Sequence, residues 1–469
     1  MRRSILPALA LAAVAGAAVL WVTPRGAGIS PDSGCYIALA RNLAAGRGYV
    51  MGDATGGWVV FTHFPPLYPA LLAVFELLGA DAAAASRFLG AAFFCANVAL
   101  FWLLARRHVS RSPATALLGA LFVVLSTEML EVHSMAWSEP LYIFLSLAGF
   151  LALDSYRERP RPRALILSGL AMGLAFLTRY AGIAAAAAGA VAVFRRRKRD
   201  APAYLALAFG PPGLWLLRNR LLTHHATDAS WALRHPVLPG LLEAAPDALA
   251  ALALIALLAT ARKERRSDWA GKLEPQLAFC AFYVALFASM ALLTTPGLLS
   301  EYPRYSTPLR LSLALMTLPL LQGRWENAAG RLSAAGFALV LAGRMLLWGR
   351  HVARDGQQYA GERWKGSAII AYVRALPEGA RVYTNSPTPV YLYAGKDIVD
   401  IPTREDFDEG PNPEYRHDVA SLREDMERGA VLAYFKEDGN AAQESWVRKE
   451  CGPWTLKPTE DGILCSKRL

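Results

Sequence analysis

The sequence is poor in charged residues: Asp, Glu, Lys and Arg make up 19% of its 469 residues, whereas hydrophobic residues make up 54%. A soluble protein of this length rarely has a mean hydropathy as high as +0.26. The apolar residues also fall in blocks of roughly 15–22, about the length that crosses a bilayer as a helix. The shortage of charge therefore excludes an ordinary soluble chain and indicates a polytopic α-helical membrane protein.

The net charge of +11 does not indicate nucleic-acid binding, because the excess is confined to one part of the chain. Residues 350–469 hold 17 Lys and Arg against 20 Asp and Glu, so this part is slightly acidic. The positive excess lies between the apolar blocks. This is the positive-inside pattern of a membrane protein rather than a basic groove for phosphate backbones.

Eleven transmembrane helices are predicted. They lie near residues 5–22, 86–105, 114–130, 139–155, 164–178, 181–194, 202–220, 246–261, 275–293, 305–322 and 331–348. With the N-terminus inside, the inner connections carry 21 Lys and Arg and the longer outer ones carry 9. This asymmetry predicts a cytoplasmic N-terminus in the inner (cytoplasmic) membrane of a bacterium. We interpret the first block as a retained signal-anchor helix, and the proline-led segment 65–79 as a helix in the outer interface.

Two regions follow from this topology: a transmembrane module at 1–348, with a first outer loop at about 23–85, and a periplasmic or extracellular domain at 349–469. In the latter, helical segments alternate with strands, which predicts a small α/β sandwich of two or three layers. It lacks GxGxxG, Walker and GxSxG motifs.

Cys451 and Cys465 flank a predicted hairpin. As cross-strand neighbours in an oxidising compartment they would form a disulfide, with two free thiols as the alternative.

Ionisable residues near apolar spans are costly and are therefore candidates for function. Several of them face outside in the predicted topology: Asp32, Glu139, Arg179-Tyr180, His224-His225 and Arg304-Tyr305. Each has a structural alternative, because acids suit the first turn of a helix and arginines snorkel to lipid headgroups. Two acids and two arginines at one membrane face nevertheless match a site that transfers a group from an anionic lipid. Arginines would hold the phosphate, and a carboxylate would deprotonate an acceptor hydroxyl.

Short motifs follow one another along residues 1–322. Asp32 after the first span is followed by "YIALARNLAAGRGY", "FPPLYPALLA", "SEPLY", "FLTRY" and "RYSTP". Their order and sidedness resemble the GT-C superfamily of membrane glycosyltransferases. The resemblance is greatest to the branch with aminoarabinose transferases of lipid A, protein O-mannosyltransferases and RgtA/B/C/D-like enzymes.

This resemblance implies a multi-span helical fold with interfacial helices in the first outer loop. It also implies transfer of a hexose or pentose from a polyprenyl-phosphate donor to a lipid, glycan or protein acceptor outside the cytoplasm, with inversion. By position, Asp32 is the catalytic or acceptor-binding carboxylate, and Glu139 is the second catalytic acid. The donor phosphate would meet Arg304, Arg179 and Tyr305.

Further candidate substrate contacts are Tyr36, His63, Tyr180, His224 and His225. No cofactor is assigned, and a divalent cation shared by Asp32 and Glu139 stays open. The adjacent histidines are a weak metal signal, because neighbouring side chains point apart. The first loop lacks a DxD motif and the tail lacks a WWDYG-like motif, which argues against a metal-dependent oligosaccharyltransferase.

Other functions compete with this interpretation. One alternative is a transporter or flippase for a lipid-linked or anionic substrate, and another is a lipid-dependent envelope polymerase or ligase. Transporters often show internal repeats and polar groups near the bilayer midplane. This sequence has no two-fold repeat of the span pattern, and its polar groups gather at one face. A non-catalytic scaffold would not need such clustered charges.

Overall fold

In the computed structural model, the described residues are 2–52, 57–109, 113–227, 271, 273–293, 302–321, 327–396, 398–406 and 410–467. They divide into two compact units. The first unit contains Met1–Pro24, Thr62–Leu71 and Ala84–Ala353. The second contains Arg25–Phe61, Leu72–Ala83 and Arg354–Leu469. Two segments of the first outer loop therefore belong with the C-terminal residues.

The described α-helices are numbered in chain order. They are α1 (Arg2–Val22), α2 (Pro31–Ala44), α3 (Leu67–Leu77), α4 (Ala82–His108), α5 (Pro113–Leu125), α6 (Thr127–Ser134), α7 (Glu139–Glu158), α8 (Pro162–Thr178), α9 (Ile183–Arg196), α10 (Ala201–Thr223), α11 (Glu274–Leu293), α12 (Tyr302–Leu321), α13 (Ala328–Asp355), α14 (Glu362–Lys365), α15 (Ala368–Ala375), α16 (Pro387–Ala394), α17 (Tyr415–Arg428) and α18 (Ala441–Glu450).

The described strands are numbered in the same way. They are β1 (Val50–Gly52), β2 (Trp58–Val60), β3 (Val382–Thr384), β4 (Ile398–Asp400), β5 (Glu405–Asp406), β6 (Gly410–Pro411), β7 (Val431–Phe435), β8 (Thr455–Pro458) and β9 (Gly462–Ser466).

Helices lie where the apolar blocks predicted them. The predicted span 139–155, for example, is covered by α7, and the interfacial segment 65–79 contains the short helix α3. The predicted span 246–261 lies outside the described residues. By length and composition, three described helices are suited to cross a membrane, or four if one bent pair counts as a single span. The total of eleven spans stays a prediction.

The bent pair is α5 and α6, whose axes meet at 58°. The bend coincides with Ser126, whose backbone is extended and whose Oγ accepts a hydrogen bond from the backbone N–H of Met129 at 3.2 Å. A serine that caps a new helix ends the preceding one, because its own backbone leaves the helical region. The predicted span 114–130 is therefore broken near its end.

The C-terminal residues of the second unit form a five-stranded sheet in the order β4-β3-β7-β9-β8. Strand β3 is parallel to β4 and β7, and β9 is antiparallel to β7 and β8. Apolar side chains of α15 and α16 cover one face of the sheet, and those of α17 and α18 cover the other. This arrangement is a three-layer α/β sandwich.

Cys451 and Cys465 are joined by a disulfide, with their Cα atoms 6.0 Å apart. The predicted cross-strand placement was wrong. Strands β8 and β9 form the hairpin, but the cross-strand partner of Cys465 is Leu456. Cys451 instead follows the last residue of α18. The bond therefore ties the end of a helix to a buried strand.

Candidate functional site

Interruptions between helices in the first unit position its charged residues. Helix α7 begins at Glu139, directly after Ser138. Helix α8 ends at Thr178, so Arg179 occupies an extended position before α9. Arg304 lies in the first turn of α12. Each side chain thus projects from a helix end, where the sequence predicted it.

These three residues form one buried ion-pair cluster. Arg179 Nη1 lies 2.8 Å from Glu139 Oε1, and Arg304 Nε donates to the same oxygen. Glu139 is 1% exposed and Arg304 is 5% exposed. Arg179 also donates to Ser138 Oγ at 3.1 Å. The structure therefore brings Glu139, Arg179 and Arg304 together.

Aromatic rings flank the two guanidinium groups. The guanidinium carbon of Arg304 lies 3.9 Å from the centre of the Trp137 ring. The guanidinium carbons of Arg179 and Arg304 lie 5.2 and 5.3 Å from the Tyr305 ring. Tyr283 donates from its hydroxyl to the backbone oxygen of Tyr305 at 2.7 Å. Aromatic faces stabilise cations in a site with little water.

The charges of this cluster favour an anion. Glu139, Arg179 and Arg304 together carry two positive charges and one negative charge. Each guanidinium presents N–H donors in a planar fork. Arginine binds phosphate through such donors in a planar fork. The cluster is therefore suited to bind a singly charged phosphodiester.

Trp137, Ser138 and Tyr283 were not predicted as site residues. Trp137 and Ser138 stand directly before Glu139 in the "MAWSEP" segment, so an aromatic residue and a hydroxyl beside a buried acid were the available signal. No pattern around Tyr283 pointed to it, because it lies within an ordinary apolar helix.

The remaining sequence candidates of the first unit have separate contacts. Tyr180 donates from its hydroxyl to the backbone oxygen of Thr62 at 2.7 Å, and Trp215 Nε1 lies 3.4 Å from the same hydroxyl. His63 is exposed, with its ring edge-on to Phe64 at 4.6 Å between centroids.

The histidine pair lies at the end of α10. His224 has a left-handed backbone, with φ at 62°, and ends the helix. The side chains of His224 and His225 are both exposed. Within the described ranges, no three His, Cys, Asp or Glu side chains are grouped as a metal ion would require.

Asp32 lies in the first turn of α2, in the second unit. Ser30 is the N-cap of this helix, and it exchanges hydrogen bonds with Ser33 across the first turn, at 3.3 and 3.1 Å. Since Ser30 caps the helix, the Asp32 carboxylate is not needed for that purpose. Tyr36, one turn further on, is 2% exposed.

Asn42 is a buried polar residue of α2. It is 4% exposed. Its amide donates to the backbone oxygen of Val50 at 2.8 Å and accepts from Arg47 at 2.8 Å. A hydrogen-bonded amide is readily buried, which a hydrophobicity pattern does not reveal.

A family model matches residues 63–210 of this chain, namely that of dolichyl-phosphate-mannose-protein mannosyltransferases. A comparison with curated protein sequences found no match.

Solved structures resemble nearly the whole chain. The crystal structure of ArnT from Cupriavidus metallidurans in the apo state is 16% identical over 98% of this chain and 97% of that chain, with a TM-score of 0.62. The same protein bound to undecaprenyl phosphate is 15% identical over 97% of each chain, with a TM-score of 0.58. The oligosaccharyltransferase AglB from Archaeoglobus fulgidus, in complex with an inhibitory peptide and a dolichol-phosphate, is 11% identical over 96% of this chain and 72% of that chain, with a TM-score of 0.55. The GT-C fold predicted from the motifs is thereby confirmed, in an integral membrane protein.

Proposed function

We propose that this chain is a GT-C membrane glycosyltransferase that moves a sugar from a polyprenyl-phosphate donor to an acceptor outside the cytoplasm. The observation that carries the proposal is the buried cluster of Glu139, Arg179 and Arg304, with one net positive charge. A polyprenyl-phosphate sugar has one negative charge on its phosphodiester. The lipid phosphates bound by ArnT and AglB support the same class of donor.

Arg304 and Arg179 bind the donor phosphate in this proposal, with Tyr305 beside them. When the bond between the sugar C1 and the phosphate oxygen breaks, negative charge accumulates on the departing polyprenyl phosphate. Fixed cations aimed at that charge stabilise the transition state more than the ground state. The donor is already activated by its phosphate, so the reaction needs no nucleotide.

Glu139 is better suited to orient the arginines than to act as a base. Its Oε1 accepts from both guanidinium groups, so removal of a proton from an acceptor would compete with two ion pairs. Its Oε2 is buried without a hydrogen-bond partner in the described part of the chain. A buried carboxylate oxygen without a partner is costly, and a hydroxyl group of the donor sugar would satisfy it.

Asp32 is the proposed base. It takes the proton of the acceptor hydroxyl or amine, the acceptor atom bonds to the sugar C1, and polyprenyl phosphate leaves with the bonding electron pair. This single displacement inverts the anomeric centre. No cofactor is assigned to this step, and transfer after treatment with EDTA measures whether a divalent cation takes part.

The remaining details of the prediction belong to the same proposal. They are eleven spans in the inner membrane, a cytoplasmic N-terminus, C-terminal residues 349–469 on the outer side, and a transferred hexose or pentose. Tyr36, His63, Tyr180, His224 and His225 remain candidate contacts for the donor or acceptor.

The test is transfer of a labelled sugar from a polyprenyl-phosphate donor in membranes that contain folded protein. We expect Arg304→Gln to lower the turnover about 10²–10³-fold, the usual cost of losing one donor to a developing anion. Asp32→Asn should abolish transfer while donor binding persists. Arg220→Gln is the matched control, because Arg220 is an exposed arginine at the end of α10.

Unchanged transfer by Asp32→Asn would remove the base assignment, and unchanged transfer by Arg304→Gln would remove the phosphate assignment. Counterflow of a lipid-linked substrate in proteoliposomes, without any transfer, would favour the transporter instead. Comparing cell-envelope glycans with and without the protein by mass spectrometry then identifies the sugar and the acceptor.

A further inference from the structure

Helix α2, which carries Asp32, packs against α16 in the second unit through a contact that has no room for a side chain. A Cβ atom built on Gly34 would lie 2.6 Å from Thr388 Cγ2 and 2.8 Å from Thr388 Oγ1. Real Cβ atoms essentially never come that close to another atom. The backbone of α2 therefore rests directly on the Thr388 side chain.

Other contacts hold the two ends of α2 to the C-terminal residues. Before the helix, Ile29 pairs with Gln358, and the backbone N–H of Tyr359 donates to the Ile29 oxygen at 3.0 Å. Near its end, the guanidinium of Arg41 lies 5.7 Å from the centre of the Tyr391 ring. The C-terminal residues thus contact α2 at three places: before its first turn, within its first two turns, and near its end.

The segment preceding α2 is attached to the same region. Arg25 forms an ion pair with Glu362, and Lys365 Nζ donates to the backbone oxygen of Arg25 at 2.7 Å. Arg25 Nε also donates to the backbone oxygen of Arg354 at 2.7 Å. The chain on the N-terminal side of Asp32 is therefore anchored to the last turn of α13 and to α14.

Asp32 lies between these attachment points. Ser30 fixes the helix start two residues before it, and Gly34 meets Thr388 two residues after it. The backbone position of Asp32 is thus determined by the place where α16 begins. Helix α16 starts at Pro387, at the carboxyl end of β3. In open α/β sheets this edge is where ligands usually bind.

We propose that the C-terminal α/β sandwich is a positioning platform for Asp32. In this proposal, the contact between Gly34 and Thr388 determines the position of the Asp32 carboxylate. Thr388 is a positioning residue, since it acts through the backbone at Gly34. The proposal rests on the proposed function in one respect: it takes Asp32 as the base. A displacement of about 1 Å is enough to cost on the order of 10²-fold in rate.

The test is a size exchange across the contact. Gly34→Ala pushes α2 away from α16, so we expect turnover to fall about 10²-fold with the KM for the donor unchanged. Thr388→Ala removes the colliding Cγ2 and Oγ1 atoms and leaves Cβ, which lies 3.2 Å from the added methyl group. The double variant should therefore recover most of the lost turnover. The control is Gly343→Ala, because a Cβ there meets nothing within 4 Å.

A second readout does not depend on catalysis. Cys35 adjoins Gly34, so displacement of α2 should raise the rate at which Cys35 is alkylated, and the double variant should restore the slow rate. If Gly34→Ala does not fold, the single variant Thr388→Ala tests the proposal instead. It removes the atoms packed against Gly34, so it should also raise the rate at which Cys35 is alkylated.

The outcomes separate the two proposals. If Gly34→Ala keeps normal turnover and slow alkylation, the platform proposal is wrong. It is also wrong if the double variant Gly34→Ala/Thr388→Ala recovers neither the turnover nor the slow alkylation. If Asp32→Asn keeps full transfer, the base assignment fails, whereas the alkylation data still decide whether the C-terminal sandwich holds α2.

Discussion

At the scale of single residues, the Cys35 thiol is a probe of the electrostatic surroundings of Asp32. Burial raises the pKa of the Cys35 thiol to about 12, with smaller contributions from the negative charges of Asp32 and Asp400. Asp400 is the last residue of β4. Two carboxylates of the second unit therefore act on one thiol.

We expect alkylation of Cys35 to be slow below pH 9, because the thiolate is the reactive form. A rise in pKa from 9.0 to about 12 lowers the thiolate fraction about 10³-fold in that range. Because the pKa is higher in the folded state, the thiol stabilises the fold fully below pH 9, and this contribution is lost as the pH rises toward 12. The measurement is a pH series of labelling followed by mass spectrometry.

Asp32→Asn and Asp400→Asn should each speed this labelling, since each removes a negative charge that disfavours the thiolate. Cys280→Ser is the control, because Cys280 is buried in the first unit. Labelling that is fast in the parent protein, or unaffected by both variants, would contradict this account of the thiol.

The charged residues of the site were predictable one by one, but their pairing was not. Ionisable residues beside apolar spans are rare enough to attract notice, which identified Glu139, Arg179 and Arg304. Glu139 and Arg304 are 165 positions apart in the chain, so only the packed helices reveal that they meet. The sequence also gave no sign that the carboxylate of Glu139 is shared by two guanidinium groups.

At the scale of elements, Phe94 and Asn97 of α4 contact the end of α6, and Asn97 also contacts the start of α7. Asn97 Nδ2 lies 2.9 Å from His133 Nε2 and 3.0 Å from the backbone oxygen of Pro140. His133 Nδ1 lies 2.7 Å from the backbone oxygen of Met129, so this nitrogen carries the proton and Nε2 accepts from Asn97. Phe94 stacks on the same ring with 4.4 Å between centroids. Asn97 thus links the end of α6 to the start of α7.

We predict that Asn97→Ala lowers the free energy of unfolding by about 1–3 kcal/mol, because it leaves a buried acceptor on His133 without its donor. It should also weaken donor binding, since α7 begins with Glu139. The measurements are thermal stability in detergent and affinity for undecaprenyl phosphate.

Asn219→Ala is the matched control for this variant. Asn219 is fully buried in the same unit and donates to the backbone oxygen of Ala226, three residues after the end of α10. It should lower stability without changing affinity for the lipid. Equal effects of both variants on lipid affinity would show that Asn97 has no special connection to Glu139.

The elements themselves were largely predictable, because apolar blocks and helix-ending residues are local signals. The bend at Ser126 was missed, since one serine among apolar residues is a weak cue beside a continuous hydrophobic run. Asn97 and His133 carried the signal of polar residues within apolar helices, but the sequence did not show that they face each other.

At the scale of the whole molecule, the disulfide fastens α18 to the sheet of the second unit. A bond that closes a loop of about 14 residues stabilises a fold by about 3 kcal/mol. Replacing both Cys451 and Cys465 by Ala should therefore lower the melting temperature of this unit and speed its proteolysis. Cys95→Ala is the control. Proteolysis at the parent rate in the paired variant would refute this role of the bond.

The assignment of chain segments to units was beyond sequence reasoning. Apolar blocks predict where the chain enters the membrane, so they separated residues 1–348 from the C-terminal part. They say nothing about which exported segments pack together. Ile29 and Gln358 pair through their backbones, and Gly34 meets Thr388 because it has no side chain, so neither contact follows from a periodic pattern.

The attachment of α2 to the C-terminal sandwich also fixes the order of events during synthesis. Arg25 and Glu362, which form one of its ion pairs, are 337 residues apart. At about 5–20 residues per second, a ribosome needs roughly 15–70 s to cover that distance. Throughout this interval Asp32 is on a helix whose partner has not yet been translated. A chain that stops before residue 388 would lack the support of its proposed base, so only finished molecules would be competent for transfer.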